Sequence, residues 1–383
     1  MSPRPIRILV AHQVYRARTG GMSRIMGFIH DRIAEAGHDV EYLCADDVPA
    51  DWENGLGQRL KFPLMVRRHV IARARAGKPY DIVNVHEPSA APVAAWRGGA
   101  RSPAVIVTSH GLQCRQWELA KQEARLGREG PGLKARLTYP MSSLWPVQYG
   151  LRRADHVFCL NFDDRDYLIQ ACRRRIDTVT RIFPAADVLY AQASARRDYS
   201  RCERLLFAGT WRKNKGVEDL IPAFVKLAEH GSRFSLIVVG PGVPAERVRG
   251  SFPESMRGRI CCYSPDSEDR MASAFAEADL FLLPSLFEGT PLTLMQAMMS
   301  GLPIVTTNTC GMKDVIVDDV SGRLVPIRSP QEIVSTVQHL ASDCDLRARL
   351  GRAARAEALQ HYTWDRVATP VQQVYERLYE CRA

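Results

Sequence analysis

Residues 278–305 read ADLFLLPSLFEGTPLTLMQAMMSGLPIV, and this stretch decides the fold. Its apolar run, Leu280-Phe281-Leu282-Leu283, is too short for a helix and is bounded by Pro284, which predicts a buried strand. In the turn that follows, Thr290 suits a helix N-cap and Pro291 suits the first helical position, where no N–H partner is needed. Leu294, Ala297 and Met298 recur at helical spacing, and Gly301 with Pro303 closes the helix. Residues 303–306 predict a second buried strand. Strand, loop, helix and strand in this order make the right-handed crossover of a parallel sheet.

The loop of that unit is where chemistry can sit. Gly289 lets a ligand approach the backbone, and the free amides between Thr290 and Leu292 stand at a positive helix end, which suits an anion. Glu288 stands at the lip of the loop, and Gln296 lies eight positions later on the second turn of the helix. An ordinary capped crossover with a solvated acid is the competing explanation of the same residues.

The segment resembles the donor-site motif of glycosyltransferase family 4, the retaining GT-B enzymes among the glycosyl transferases of group 1. That motif holds two glutamates inside E-G-x-P-x-x-x-x-E-A-M. Glu288, Gly289, Pro291, Ala297 and Met298 match it. The resemblance implies that the first glutamate touches hydroxyls of a donor sugar and the second binds the nucleotide ribose. Gln296 replaces the second, and its amide can still pair with a ribose diol, although as a neutral group. Charge-assisted bonds are roughly twice as strong, so a carboxylate restored at 296 is expected to improve donor affinity.

Composition sets the outer limits. A chain of 383 residues, 46% hydrophobic and 25% charged, is of globular type and long enough for two domains. Ten cysteines without a C-x-x-C pair suggest reduced thiols and no zinc site. The first residues lead straight into a strand without a signal peptide, and no apolar run has transmembrane length, so a cytoplasmic location is expected. Residues 1–187 carry 28 Lys and Arg against 19 Asp and Glu, which places +9 of the total +10 there. Such an excess suits an anionic partner, and a solvated basic face explains it equally. The helical run Arg67 to Arg75 either lies on an anionic membrane or packs through Val66, Val70 and Ala74.

In the first half, Ile6 to Val10 predict the opening strand, and Gly20 and Gly21 follow before a helix, where a phosphate can meet the backbone. Two further strands, residues 80–86 and 104–108, each end beside a histidine, His86 and His110, where parallel sheets place ligands. Thr108-Ser109-His110-Gly111-Leu112 is similar to the family's T-x-H-G-L segment, which implies that His110 reaches the donor. Gly20 and Gly21 correspond to the family loop beside the donor diphosphate. Asp163 or Asp164 is expected to cap a helix, in preference to a metal site in Asp164-Arg165-Asp166.

Residues 188–204 predict a polar linker. After the next strand, Leu205 to Ala208, Arg212, Lys213 and Lys215 cluster ahead of an amphipathic helix, and point charges at a helix start can hold a diphosphate. The family's version is G-R-x-x-x-x-K-G. Lys215 matches its lysine, Thr210 stands where its arginine would be, and Arg212 is a nearby substitute. Tyr263 and Ser264 occupy the family's base-contacting loop. From Pro330 onward the chain is predicted helical with one break at Pro370.

These patterns predict an α/β protein of GT-B type, with two doubly wound Rossmann-like domains facing a cleft. The domains are expected at 1–187 and 188–365, and a C-terminal helix over 366–383 is expected to cross back to the first. The resemblance implies a retaining transferase that moves a sugar from a nucleotide diphosphate to a glycan or lipid-linked acceptor. Cationic side chains and helix ends can serve the diphosphate, so no metal or cofactor is expected. The basic first half with the run near Arg67 points to an anionic membrane surface, and not nucleic acid, as a further partner. His110 and Glu288 are the expected catalytic groups. Gly20, Gly21, Arg212, Lys215, Gly289, Thr290, Pro291, Leu292 and Gln296 are the expected donor-binding ones. A GT-B epimerase or phosphorylase, or a non-catalytic sugar-nucleotide sensor, would share these features.

Overall fold

The computed structural model describes residues 4–15, 21–49, 55–96, 99, 102–128, 130–229 and 233–382. The chain divides into two compact units, one made of residues 1–183 with 365–383 and the other of residues 184–364.

The first unit holds a six-stranded parallel sheet of β1 (Arg7–Ala11), β2 (Asp39–Leu43), β3 (Ile82–His86), β4 (Ala104–Thr108), β5 (His156–Cys159) and β6 (Val179–Arg181), in the order β2-β1-β3-β4-β5-β6. β3 and β4 are buried at every position, as their valine- and isoleucine-rich sequences require when helices cover both faces. Asn84 interrupts that apolar pattern and is satisfied. Its Oδ1 accepts from Thr108 Oγ1 at 2.8 Å, and its Nδ2 donates to Tyr375 Oη at 2.6 Å. Tyr375 Oη also meets His30 Nε2 at 2.8 Å.

Tyr375 belongs to the helix Trp364–Glu380, whose Val367, Ala368, Val371 and Val374 are buried. The end of the chain therefore belongs to the first unit, as expected of a returning helix. This helix runs through Pro370 without a break. The interruptions lie earlier, at Asp343, whose carboxylate caps the helix Cys344–His361 through Leu346 N, and at residues 362–363. A polar cap stops a helix where the apolar pattern turns, and packing carries the proline.

The second unit is another all-parallel sheet, of β7 (Arg204–Ala208), β8 (Ser235–Val239), β9 (Ile260–Tyr263), β10 (Leu280–Leu283), β11 (Ile304–Thr307) and β12 (Arg323–Val325). Its order is β12-β11-β10-β7-β8-β9. The segment predicted as a linker is instead part of this unit. Residues 189–193 are helical, Tyr190 is fully buried, and the guanidinium of Arg197 donates to the carbonyls of Phe275, Ala278 and Ser300. Polar composition misled there, because an arginine that satisfies three carbonyls packs as well as an apolar side chain.

The basic run near Arg67 lies in a longer helix, Gly55–Arg75, with Val66, Val70 and Ala74 buried beneath it. Arg73 pairs with Glu41, while Arg67 and Arg68 are exposed. All ten cysteines are free thiols. Among the described residues no helix is long and apolar enough to cross a membrane.

Candidate functional site

Strand order locates the sites. In the second sheet β7 and β10 are neighbours, and the connections from them run to opposite sides, so a crevice opens at their carboxyl ends. The loop after β7 carries Lys215 and the loop after β10 carries Glu288. Their side chains meet, Nζ to Oε1 at 2.5 Å, and both are largely buried. Glu288 Oε1 also accepts from Ser285 Oγ at 3.1 Å.

A backbone contact joins the two loops, Leu286 N donating to Asn214 O at 2.8 Å, and the hydroxyl of Thr306 on β11 donates to Leu283 O at the end of β10 at 2.8 Å. Gly216 has φ +73°, and a Cβ there would stand 1.8 Å from Pro284 O, so only glycine lets the lysine turn approach this closely. Gly311 does the same for the other side, since its Cβ would stand 2.0 Å from Gly289 O.

Helix Leu292–Met299 starts one residue later than predicted. Pro291 is its N-cap, with no side-chain cap bond, and Thr290 does not cap it. A proline donates nothing at either position, so the helix gives up little by this shift. Thr290 and Pro291 are buried, Gly289 is buried, and Leu292 remains partly exposed at the helix start. Arg212 is exposed at the tip of the turn Lys213–Lys215.

Gln296 points inward. It is 2% exposed, and its Nε2 donates to Tyr190 Oη at 2.6 Å and lies 3.4 Å from Glu268 Oε1. Tyr190 Oη in turn donates to Glu268 Oε1. That chain fixes the amide orientation, because a hydroxyl that gives its proton to Glu268 must accept from Gln296. Gln296 Oε1 is left buried without a partner, an acceptor suited to a ligand hydroxyl. Sequence alone pointed to neither Tyr190 nor Glu268. Glu268 follows the Tyr263-Ser264 loop by a few residues, and its helix Glu268–Glu277 is capped by Ser267.

In the first unit a histidine cluster stands at the carboxyl edge of the sheet. His110 Nε2 and His86 Nδ1 are 3.0 Å apart with their rings stacked at 4.9 Å, and the His12 ring lies 5.5 Å from His86. Both predicted histidines are therefore joined, and His12 was missed. Its signal was present, since it directly follows β1, just as His86 ends β3 and His110 comes two residues after β4. Glu87 beside them accepts from Gln113 N at 3.0 Å, and burial raises its carboxyl to about 7.

Gly21 opens the helix Gly21–Glu35, while Gly20 lies outside the described residues. Asn161, and neither Asp163 nor Asp164, caps the helix Phe162–Gln170 through Asp164 N. Asp164 instead pairs with Arg115 and accepts from Leu112 N, fixing the loop after His110. Among the described residues no cluster of His, Cys, Asp and Glu has metal-site spacing.

Burial, ahead of like-charge repulsion between rings, lowers His110 and His30 to about 4, and His86 well below its usual value. His156 falls to about 3, again chiefly by burial, with Arg377 adding to it. These rings are neutral at pH 7. Below pH 6.5 the unfolded chain takes up protons that the native rings refuse until about pH 4, so stability is lost as pH falls through that window. Calorimetry at pH 7.5 and pH 4.5 is expected to show the first unit melting at least about 5 °C lower in acid. An unchanged transition would mean that these rings are already charged in the native state.

The profile described as glycosyl transferases group 1 matches residues 196–357, and that described as glycosyl transferase 4-like domain matches residues 20–185. An alpha-D-kanosaminyltransferase of Streptomyces kanamyceticus is 25% identical over 63% of this chain and 65% of its own length. The matched stretches span 41–65% of the length of this and two other curated relatives. Among solved structures, sucrose-phosphate synthase from Thermosynechococcus elongatus superposes with a TM-score of 0.76 at 18% identity, covering 98% of this chain and 100% of that one. The Anabaena protein HepE in complex with UDP gives 0.66 at 15% identity, covering 97% and 99%.

Proposed function

We propose that this chain, which belongs to the glycosyl transferases of group 1 and has their GT-B fold, moves a sugar from a nucleotide diphosphate to an acceptor with retention of configuration. The Lys215–Glu288 pair at the switch point of the second sheet carries this reading. A cation and an acid held together by locked loops suit the two ends of a sugar diphosphate. Lys215, assisted by Arg212 and the amides at the start of helix Leu292–Met299, neutralises the phosphates. Gly289, Thr290 and Pro291 shape that approach, and Glu288 accepts from sugar hydroxyls. Gln296 Oε1 and the Glu268 carboxylate take the nucleoside side.

Transfer builds negative charge on the departing diphosphate, and groups fixed in advance stabilise it without reorganising. Lys215 leaves Glu288 for the phosphate as the sugar takes over Glu288, so ligand replaces ion pair at little electrostatic cost. His110, neutral and joined to His86, is the hydrogen-bonding group on the first unit, and Gly21 at its helix start is a second anion contact. The acceptor, a glycan or a lipid-linked one, belongs to that basic unit. The bound UDP of the Anabaena structure supports a uridine nucleotide as the first donor to try.

Thermal shift with UDP, ADP and GDP sugars tests this. A cognate donor at about 100 times its Kd adds about 2.7 kcal/mol, which raises the melting temperature by about 5–10 °C. If no nucleotide sugar shifts the transition and none is hydrolysed, the transferase assignment fails.

A further inference from the structure

The first unit contains a cavity of about 720 Å³ that no residue of the donor site touches, within the range of ligand pockets. Gln13, Pro88 and Gln113, which follow β1, β3 and β4, form its inner end. Leu60, Leu64, Pro92, Trp145 and Tyr149 line the rest. Leu60, Leu64 and Trp145 are 52%, 46% and 67% exposed, so they mark the mouth. The inner end is polar. Gln13 Nε2 donates to Ser89 Oγ at 2.8 Å, and Gln113 Oε1 is buried without a partner.

The apolar surface does not stop at the mouth. Leu133, Leu137, Met141 and Trp145 recur every four residues along helix Leu133–Tyr139, the π turn Pro140–Leu144 and the start of helix Trp145–Arg153, each 67–80% exposed. Lys134 and Arg136 lie exposed beside this stripe, and Lys61, Arg67 and Arg68 lie exposed beside Leu60 and Leu64. Stranded apolar side chains flanked by cations match a hydrocarbon layer with anionic head groups. A small apolar aglycone would fill the cavity but would leave the stripe unexplained.

We propose that this cavity takes the hydrocarbon chain of a lipid-phosphate acceptor, entering past Leu64 and Trp145 from an anionic bilayer. The inner end then holds the phosphate of that acceptor beside the histidine cluster, with Gln113 Oε1 accepting from the P–OH of the phosphate monoanion. This rests on the transferase reading for what the acceptor is, while the cavity's occupant is tested apart from transfer.

The probes are n-alkyl phosphates of eight to sixteen carbons, below their critical micelle concentrations, with inorganic phosphate as the head-group control. Binding is followed by quenching of tryptophan fluorescence with brominated chains. Affinity is expected to rise up to about fourfold per methylene and then level off when the chain outgrows the cavity. Inorganic phosphate at the same concentration is expected not to displace the brominated chains. Ala91→Phe, which fills the cavity, and Leu64→Ser, at its mouth, should each weaken the longest probe at least tenfold while UDP binding stays unchanged. A rise with no plateau, or full affinity in both variants, would reduce the surface to a membrane-contact face and overturn the proposal. Chain binding without any nucleotide binding would instead sink the transferase assignment and leave the cavity's occupant standing.

Discussion

Lys215→Ala is expected to raise KM for the sugar donor about 10- to 100-fold, and Glu288→Ala to lower kcat about 10²- to 10³-fold. The two effects differ because the partners serve different parts of the donor. In the proposed arrangement Lys215 meets charge that is present in the ground state, so its loss is expected in binding. Glu288 there meets sugar hydroxyls whose bonds strengthen as the anomeric carbon becomes cationic, so its loss is expected in turnover. Both sit on loops outside the apolar core, and circular dichroism should show both variants folded. Glu288→Gln separates the ion pair from the sugar contact. It keeps an oxygen for Ser285 and releases Lys215, so affinity for the bare nucleotide diphosphate should rise while transfer is still lost. Steady-state kinetics with titration calorimetry checks all three. Near-normal activity in either alanine variant would refute the assignment.

Gln296→Glu is expected to harm the protein, which reverses the expectation drawn from sequence. A carboxylate at 296 would face the Glu268 carboxylate at the 3.4 Å now spanned by the amide, and only one of the two acids can keep the Tyr190 proton. Loss of a buried donor with an acceptor put in its place costs about 1–3 kcal/mol, which lowers the melting temperature of this unit by about 3–10 °C. Nucleotide affinity should fall with it. The paired variant Gln296→Glu with Glu268→Gln moves the charge without adding one and should recover most of both losses. A stable, tighter-binding Gln296→Glu alone would show that Glu268 is not held as described.

Much of this architecture was legible because parallel strands buried on both faces leave continuous apolar runs, as at Val105-Ile106-Val107 and Leu280 to Leu283. Gly289 and the prolines on either side of Glu288 marked the loop for the same reason, since close backbone approach narrows the choice of residue. What stayed hidden depends on contacts between distant segments. Nothing local in Gln296 announces Tyr190, more than one hundred positions earlier, and a polar stretch such as residues 194–204 gives no sign that Arg197 will satisfy three carbonyls. Pro370 looked like a helix end because local propensity was weighed without the sheet beneath it. The cavity was invisible for a similar reason, because its walls come from five separate segments.

The returning C-terminal helix has a consequence for synthesis. Residues 365–383 leave the ribosome only after all of residues 184–364 have been made. At about 5–20 residues per second, that interval lasts on the order of 10–40 s. During it the nascent first unit has its strands but lacks Val371, Val374 and Tyr375, while Asn84 and His30 wait without the hydroxyl that joins them. The later-made unit therefore has every residue it needs before the earlier one does. A premature stop near residue 364 would deprive the first unit of its last helix while leaving the second unit whole.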